Sequence, residues 1–420
     1  MIHRRSILKT SACALISPRL LARADQPKFP PIRQITQGPK FHWFGYYDKL
    51  QFSPDNRLVL CNQSTFENRS PKPDDEIRVG MIDIHDNDRW HDLGSSRAWC
   101  WQQGCMLQWL PGSDREVIWN DREDGQFVAH ILDIQSGKKR TIPHPIYALS
   151  PDGKWGISTS FSRLNDMRPG YGYAGVPDPF GATSAPDQTG IFRVDLSSGQ
   201  SRLIIPLSDV VKKFPFSAKE PERVKHWFNH LLVNTDGSRF VFLHRWRTPE
   251  GGHLTHMISS SSNGSDYRVL IGSGYVSHFI WRDPNHVLAY AKPKADMNWG
   301  FFVFQDRPEG GYEEVGKSVL IGDGHCTYLP GNRWILNDSY RDRNKKMHPH
   351  LFDTETGRRF EIGETELPDA YVTGSRFNEW RVDLHPRFSR DGRLVTVDSP
   401  YTGQGRQLHL IDISQIVKGA

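Results

Sequence analysis

The sequence predicts an all-β protein built from seven repeated units. One short phrase recurs: an apolar residue, a polar turn that contains Asp, Gly or Asn, and a second apolar run. The leading apolar residues of the seven copies are Phe52, Trp109, Leu149, Val233, Trp281, Tyr328 and Phe388. Further strand-like runs with hairpin signals follow the copies, and helical periodicity is almost absent. Four short strands per unit are typical of a β-propeller, so we predict seven blades, with six as the alternative if one unit is misread.

The two ends of the propeller are expected to meet in one blade. The seventh unit ends soon after residues 407–413, which leaves no room for a fourth strand. The segment Ile32–Thr36 has the character of the missing strand. An N-terminal strand that completes the last blade closes the ring and removes a sheet edge. We therefore expect residues 25–420 to form one seven-bladed domain closed by an N-terminal strand.

Residues 1–24 have the features of an export signal. Arg4 and Arg5 begin a twin-arginine-type motif, a short apolar stretch follows, and Ala22–Ala24 offers a signal-peptidase site. Arg19 interrupts the apolar stretch, which is too short for a membrane anchor. We expect a mature protein that begins near Asp25, lies in the periplasm or outside the cell, and does not insert into the membrane.

Composition narrows the classes of function. Of 420 residues, 37% are hydrophobic and 24% are charged, as is typical of a globular protein. The formal charge of +5 is modest and no dense run of Lys and Arg occurs, so nucleic acid is not an expected partner. A mildly basic cleft for an acidic polymer remains open. We expect a monomer.

The five cysteines do not make a disulfide framework. Cys13 lies in the predicted signal, which leaves Cys61, Cys100, Cys105 and Cys326. Cys100 and Cys105 lie in strand-like surroundings, where a disulfide and two buried thiols are both consistent with the sequence.

One interval between copies of the phrase is anomalous. The third and fourth copies are 84 residues apart, and residues 163–180 are rich in Gly, Pro and Tyr. This stretch does not fit a regular strand, and long loops on rigid scaffolds are commonly functional. Within it, Arg168 is suited to a carboxylate, and Tyr171 and Tyr173 to sugar stacking or proton transfer. A surface excursion without a role is the alternative. A brief helix is expected within residues 210–225.

Histidines occupy one phase of the repeat, three residues before the leading apolar residue. The residues at this phase are Lys49, Met106, Ile146, His230, His278, His325 and His385. The first strand of each blade lines the central channel, so these side chains are expected to face one another. The imidazoles of His278, His325 and His385, joined by the Cys326 thiolate, could converge on one divalent metal ion. Nitrogen and sulfur ligands favour Zn²⁺ over Mn²⁺, which needs oxygen ligands, and over Ca²⁺. The alternative is that the histidines satisfy backbone groups.

A second group of polar and aromatic residues lies around the third and fourth units. It consists of His130, His144, His226, His230, His244, Arg245 and Trp246. Trp rings beside Arg suit an acidic sugar, because guanidinium holds a carboxylate in a bidentate way. Packing between blades, with solvated Arg at the rim, is the alternative.

Four phrases of the chain resemble those of exported propeller lyases. They are His42–Lys49, Trp99–Cys105, Gly324–Pro330 and Leu384–Gly392. The phrases look like those of proteins related to ulvan lyases, and the last is more distantly similar to oligogalacturonate lyases. Both groups are seven-bladed propellers that cut uronate-containing glycans by β-elimination. The resemblance implies a channel metal held largely by His, as in the oligogalacturonate group, or a Zn²⁺ usually regarded as structural, as in the ulvan group.

The resemblance also implies a reaction. A polysaccharide lyase must neutralise the uronate carboxylate, remove the C5 proton with a base, and protonate the leaving oxygen with an acid. We expect Arg245 or Arg168 to hold the carboxylate, His144 or His230 to act as base, and Tyr173 or another histidine to act as acid. Additional substrate contacts are expected from Tyr171, His130 and Trp246.

Two other classes of function are consistent with the sequence. One is a non-catalytic propeller that binds glycan or protein, and the other is a metal-dependent hydrolase. Elimination leaves a conjugated, unsaturated uronate that absorbs ultraviolet light. Hydrolysis and binding leave no such chromophore, so absorbance separates the lyase from both.

Overall fold

The computed structural model describes residues 29–216, 223–372 and 379–418. It contains seven four-stranded antiparallel sheets, which confirms the predicted seven-bladed β-propeller. Blade one comprises β2 (Phe41–Trp43), β3 (Leu58–Ser64), β4 (Ile77–Asp83) and β5 (Arg89–Ser96). Blade two comprises β6 (Gln108–Trp109), β7 (Glu116–Glu123), β8 (Gln126–Asp133) and β9 (Lys139–Ile142). Blade three comprises β10 (Ala148–Leu149), β11 (Trp155–Ser158), β12 (Gly190–Asp195) and β13 (Ser201–Pro206).

The remaining blades follow in chain order. They comprise β14 (His226–Val233), β15 (Arg239–Arg247), β16 (His253–Ser261) and β17 (Tyr267–Gly274); β18 (Val276–Asp283), β19 (His286–Ala291), β20 (Gly300–Gln305) and β21 (Tyr312–Val315); β22 (Thr327–Tyr328), β23 (Trp334–Asn337), β25 (His350–Asp353) and β26 (Arg358–Glu361); and β28 (Arg387–Phe388), β29 (Leu394–Ser399), β30 (Gln407–Asp412) and β1 (Ile32–Gln34). Strands β24 (Lys346–Met347) and β27 (Thr365–Glu366) form a separate two-stranded ribbon.

The N-terminal strand closes the ring as predicted. In blade seven the strand order is β28, β29, β30 and β1, with β1 outermost. Ile32 pairs with Ile411 and Gln34 with His409, in antiparallel register. The edge of β30 is therefore covered by the start of the same chain, and two segments far apart in sequence share one sheet.

The recurring phrase is the turn between the first two strands of a blade. In the third copy the Ser150 hydroxyl donates to Asp152 (2.6 Å), and in the seventh Ser389 donates to Asp391 in the same way (2.6 Å). Gly153 and Gly392 then adopt φ of 66° and 70°, a left-handed conformation that glycine takes without steric cost. The phrase repeats because each blade needs the same tight turn.

The long interval in blade three folds as a packed insertion. It contains α1 (Phe161–Met167), a helix that the sequence did not predict, and the Ser160 hydroxyl caps the N-terminus of α1 by accepting from Arg163 N–H (3.1 Å). A second helix, α2 (Leu207–Lys213), lies near the predicted one but begins earlier. A 3₁₀ turn spans Asp369–Tyr371. Within the described ranges, no helix has the length and hydropathy needed to cross a bilayer.

The four described cysteines are free and buried, so the structure favours thiols over a Cys100–Cys105 disulfide. Cys13 and the predicted export signal, residues 1–24, lie outside the described residues.

Candidate active site

Three of the four channel histidines surround the ring of Tyr46, and the fourth, His278, packs on one of them. The ring centroid of Tyr46 lies 4.8 Å from that of His230 and 5.2 Å from that of His385. His325 stands 4.2 Å from both His385 and His278 by the same measure. All five side chains are buried. The histidines that share one phase of the repeat therefore lie together in the channel, as the sequence predicted.

The backbone is strained where two of these histidines enter the channel. His230 has φ of 46° and His385 has φ of 43°, and Met106, at the same phase of blade two, has φ of 56°. A non-glycine residue in this region costs about 1–3 kcal/mol and persists only where its surroundings hold it. At His230 the backbone N–H donates to the Tyr147 hydroxyl (2.9 Å), and the imidazole stacks on Phe279 at 4.0 Å between centroids.

One corner of the channel has the donor set of a metal site. His325, Asp383 and His385 each offer a ligand atom, and these atoms all lie within 4.8 Å of one another. The Nε2 atoms of both histidines are buried and lack a hydrogen-bond partner among the described residues. Asp338 accepts from Nδ1 of His325 (2.9 Å) and, against the effect of burial, raises the pKa of this imidazole, so Nε2 is the nitrogen that could bind a metal in exchange for its proton. Two orphaned imidazole nitrogens beside a carboxylate, which also accepts from Arg381 Nε (2.8 Å), fit a divalent cation.

Two of the four predicted metal ligands lie outside this three-residue group. The Cys326 side chain packs in an apolar cluster with Leu288 and Ile335, and burial raises the pKa of its thiol well above the ordinary value. His278 is next to His325, but its Nδ1 is hydrogen-bonded to Asp323 (3.0 Å). Asp383, which the sequence did not predict as a ligand, belongs to the group instead. A set of nitrogen and oxygen ligands removes the reason to prefer Zn²⁺ over Mn²⁺.

On the other side of Tyr46, His230 forms a dyad with an acidic residue. Nε2 of His230 is 3.1 Å from Asp48 Oδ2, and both side chains are buried. Burial acts to raise the pKa of Asp48, but Lys49 and His230 hold it at about 2. Burial lowers the pKa of His230 to about 4, against the opposing effect of Asp48. At neutral pH the pair is a carboxylate that accepts Nε2–H from a neutral imidazole, so Nδ1 of His230 is free to take a proton.

Cationic side chains crowd the same pocket, which has a volume of about 50 Å³ and is lined by Tyr46, Arg168, Tyr171, Asn229, His230, Arg245, Ser277, His278 and Tyr340. Nε and Nη1 of Arg245 and Nε of Arg168 are buried and have no hydrogen-bond partner in the described part of the chain. Burial, reinforced by Arg168, lowers the pKa of Arg245 to about 9, so it is still charged at neutral pH. Unpaired buried guanidinium groups call for an anionic ligand.

Tyr171 is the phenol that these cations perturb. Its hydroxyl accepts from Arg381 Nη2 (2.9 Å), and the guanidinium carbon of Arg168 lies 4.5 Å from the ring centroid. Burial alone would raise the pKa of Tyr171, but Arg381 and Arg168 lower it to about 8. A phenol with this pKa exchanges its proton readily near neutral pH.

Four of the predicted catalytic and substrate residues lie away from this pocket. His144 donates from Nδ1 to the Pro145 carbonyl (3.0 Å), and its ring packs on Phe192. Tyr173 is fully buried and stacks on Phe161 at 4.2 Å between centroids. Neither residue lines the pocket around Tyr46, so their predicted catalytic roles are not among the groups that the structure brings together there.

His130 and Trp246 also point elsewhere. Nε2 of His130 lies 3.2 Å from Asp121 and 3.3 Å from Glu123, in a polar group on blade two. Trp246 packs against the imidazoles of His244 and His256 on a face of blade four. Arg245, its neighbour in β15, faces the pocket because alternate residues of a strand point to opposite sides.

A second, larger cavity lies three residues further along the inner strands than the channel histidines. Its volume is about 390 Å³, and the lining residues include Leu50, Phe52, Trp281, Tyr328 and Phe388. None of the four channel histidines lines it, but Asp48 does, together with Lys49, Arg387 and Arg390.

Solved structures of two lyases resemble the whole propeller. An oligogalacturonate lyase in complex with manganese matches with a TM-score of 0.66 and 15% identity, over 91% of this chain and 93% of that one. An oligogalacturonate lyase from Vibrio parahaemolyticus matches with a TM-score of 0.63 and 13% identity, over 92% and 94% of the two chains. At these identities the likeness shows the fold. No protein-family model and no curated protein matches the chain.

Proposed function

We propose that this protein is a polysaccharide lyase that cleaves an anionic, uronate-containing glycan, ulvan-like or oligogalacturonate-like, by β-elimination. The observation that carries the proposal is Arg245, a buried guanidinium with two unpartnered nitrogens in a pocket shared with a histidine–aspartate dyad. A carboxylate is the complementary anion for such a group. Oligogalacturonate lyases with the same fold support this choice of substrate class.

The uronate carboxylate would enter the narrow pocket while the sugar ring stays above it. The pocket is small, with a volume of about 50 Å³, and both arginines line it, so we place the carboxylate at its base. Arg245 and Arg168 bind its oxygens and offset its charge, which makes the C5 proton more acidic. The same two arginines therefore orient the substrate and stabilise the negative charge that develops on it.

The remaining groups move protons. His230 Nδ1 takes the C5 proton, and Asp48 stabilises the imidazolium that results. The electron pair forms the C4–C5 double bond as the C4–O bond breaks. Tyr171 gives its phenolic proton to the departing oxygen and is left as a phenolate beside Arg381 and Arg168. His144 and Tyr173 have no part in this scheme.

His325, Asp383 and His385 would hold a divalent cation, with Mn²⁺ and Zn²⁺ both compatible with the ligand set. Bound there, the cation would supply Lewis acidity at an oxygen of the substrate. We retain export to the periplasm or the outside of the cell, and a monomeric state, as parts of the proposal.

The experiment is an absorbance assay for unsaturated uronate with ulvan, polygalacturonate and their oligomers. Wild type is expected to produce the chromophore with one of them, and Arg245→Met to lower kcat/KM about 100-fold. Because this substitution removes an unpaired buried charge, it is expected to unfold at no lower temperature. Arg202→Ala, at an exposed site on β13, is the matched control and keeps full activity.

Other outcomes contradict the proposal in distinct ways. Shortened glycan without the chromophore would identify a hydrolase. Binding without cleavage would identify a non-catalytic propeller. Equal activity of Arg245→Met and wild type would show that Arg245 is not part of the active site.

A further inference from the structure

An exposed aromatic group stands at one end of blade five. Tyr275 and Trp299 are 37% and 40% exposed, although large aromatic side chains are mostly buried in this fold. Their ring centroids are 6.0 Å apart at 81°, and Tyr290 stacks beneath Trp299 at 5.2 Å and 13°. The indole is thus held in place on one face by Tyr290 while it remains open to solvent.

The strand register places this group at the same end of the blade as the channel pocket. Val276 of β18 pairs with Ala291 of β19, and Ala291 pairs with Gly300 of β20. Tyr275, Lys292 and Trp299 each lie one residue beyond this row, so they flank one edge. His278 lies three residues from Tyr275 on β18, about 10 Å along the strand.

Tyr340 is a partly exposed ring at the edge of the channel pocket. It lines the channel pocket, its ring centroid is 6.2 Å from that of His278, and it is 38% exposed. Ser277 and His278 line the pocket and lie two and three residues from Tyr275, so a chain that leaves the pocket along β18 reaches the aromatic group without crossing a blade.

Two lysines lie beside the group, on a loop that also carries Asp296. Lys292 Nζ lies 4.9 Å from the centroid of the Tyr275 ring, and Lys294 follows on the same loop. Neither lysine has an ion-pair partner among residues 29–216, 223–372 and 379–418. Flat aromatic faces stack on the apolar faces of sugar rings, and free ammonium groups attract their carboxylates.

We propose that Trp299 and Tyr275, with Lys292, form a subsite that stacks one sugar residue of an anionic glycan while another residue of the same chain occupies the channel pocket. The inference rests on the proposed function and deepens it. The preferred ligand is an oligosaccharide or polymer of several residues, and a disaccharide is too short to reach both places.

The test compares binding of oligogalacturonates and ulvan fragments of two and of six residues, measured by calorimetry, with turnover measured by absorbance on the same samples. Trp299→Ala is expected to weaken binding of the six-residue ligand about tenfold and to leave the two-residue ligand unchanged. Trp299→Phe, which keeps a ring, is expected to retain most of the affinity.

Tyr312→Ala is the matched control. Tyr312 is equally exposed at 40% and lies on β21 of the same blade. Its hydroxyl contacts Met297 in the loop that carries Trp299 (3.4 Å), so this variant also reports the effect of loosening the loop alone. It is expected to bind both lengths as wild type does.

Equal loss of affinity for both lengths in Trp299→Ala, or no loss for either, would overturn the subsite. A length-dependent loss without any chromophore in wild type would support the subsite and contradict the lyase. A chromophore in wild type together with unchanged binding in Trp299→Ala would support the lyase and contradict the subsite.

Discussion

At the scale of single residues, the pocket separates a base from an acid by environment. His230 and Tyr171 are both buried near Tyr46. Burial sets the direction of the pKa shift of the imidazole, whereas nearby cations set that of the phenol. The result is a histidine that is neutral over a wide pH range and a tyrosine that loses its proton unusually early. Such opposed shifts are the pattern expected of an acid–base pair.

The pH profile of turnover tests this assignment. Since the base must be unprotonated and the acid protonated, activity is expected to rise through the His230 pKa of about 4 and to fall through the Tyr171 pKa of about 8. Tyr171→Phe is expected to lower kcat about 100-fold and to abolish the alkaline fall. Initial rates across the pH range, with protein stability checked at each pH, provide the measurement.

An alkaline fall that survives in Tyr171→Phe would assign that limb to another group. Tyr173→Phe is the matched control, because Tyr173 is a neighbouring phenol of the same insertion that lies outside the pocket. Its profile is expected to coincide with that of wild type.

The sequence predicted the imidazoles but not their carboxylate partners. The phase of His325 and His385 is a property of the repeat and can be counted along the chain. The pairing of Asp48 with His230 and of Asp338 with His325 becomes visible only through contacts made across the fold. Asp383 could have been flagged, because it precedes His385 by two residues and alternate residues of an extended chain share a side.

At the scale of elements, one arginine fastens the insertion to blade four. Arg163 of α1 donates from Nε to the His226 carbonyl (2.7 Å), from Nη1 to Asp178 (3.0 Å) and from Nη2 to the Ser184 carbonyl (2.7 Å). The side chains of Arg163 and Asp178 are both nearly inaccessible. This anchor fixes the segment that carries Arg168 and Tyr171 over the channel.

Arg163→Ala is expected to destabilise the protein by about 3–5 kcal/mol, because it leaves Asp178 as a buried, unpaired charge. Denaturant unfolding measures the change. The exposed Arg202→Ala serves as reference and is expected to change stability by less than about 0.5 kcal/mol. Unchanged stability of Arg163→Ala would mean that the insertion is held by other contacts.

The strands were predictable and α1 was not, for a physical reason. Each blade repeats the same turn, so its signal accumulates over seven copies. The helix spans only seven residues, too few for a clear apolar period, and depends on the Ser160 cap and on burial of Phe161 and Leu164. Local sequence therefore says little about it.

At the scale of the whole molecule, the proposed cation joins two blades. His325 precedes the inner strand of blade six, whereas Asp383 and His385 precede that of blade seven. A ligand that binds only the folded ring stabilises it, by about 4 kcal/mol at a thousandfold excess over Kd. Metal is thus expected to act against separation of these blades.

Removal of metal with a chelator is expected to lower the melting temperature of wild type. His385→Ala is expected to contain less than one-tenth of the wild-type metal and to melt at the same temperature with and without chelator. His286→Ala, at a half-buried site paired with Asp283, is the control and retains metal. Elemental analysis and thermal scans measure both effects, and a full metal content in His385→Ala would refute the site.

The pairing of β1 with β30 determines when blade seven can be completed during synthesis. Of the strands in the described residues, β1 leaves the ribosome first, whereas its partner β30 is made last. Proteins generally fold from the N-terminus during synthesis, but blade seven must wait for residues 407–412. A nascent or truncated copy that lacks β30 keeps Ile32–Gln34 unpaired. This strand is therefore covered only in a copy that has been synthesised through β30.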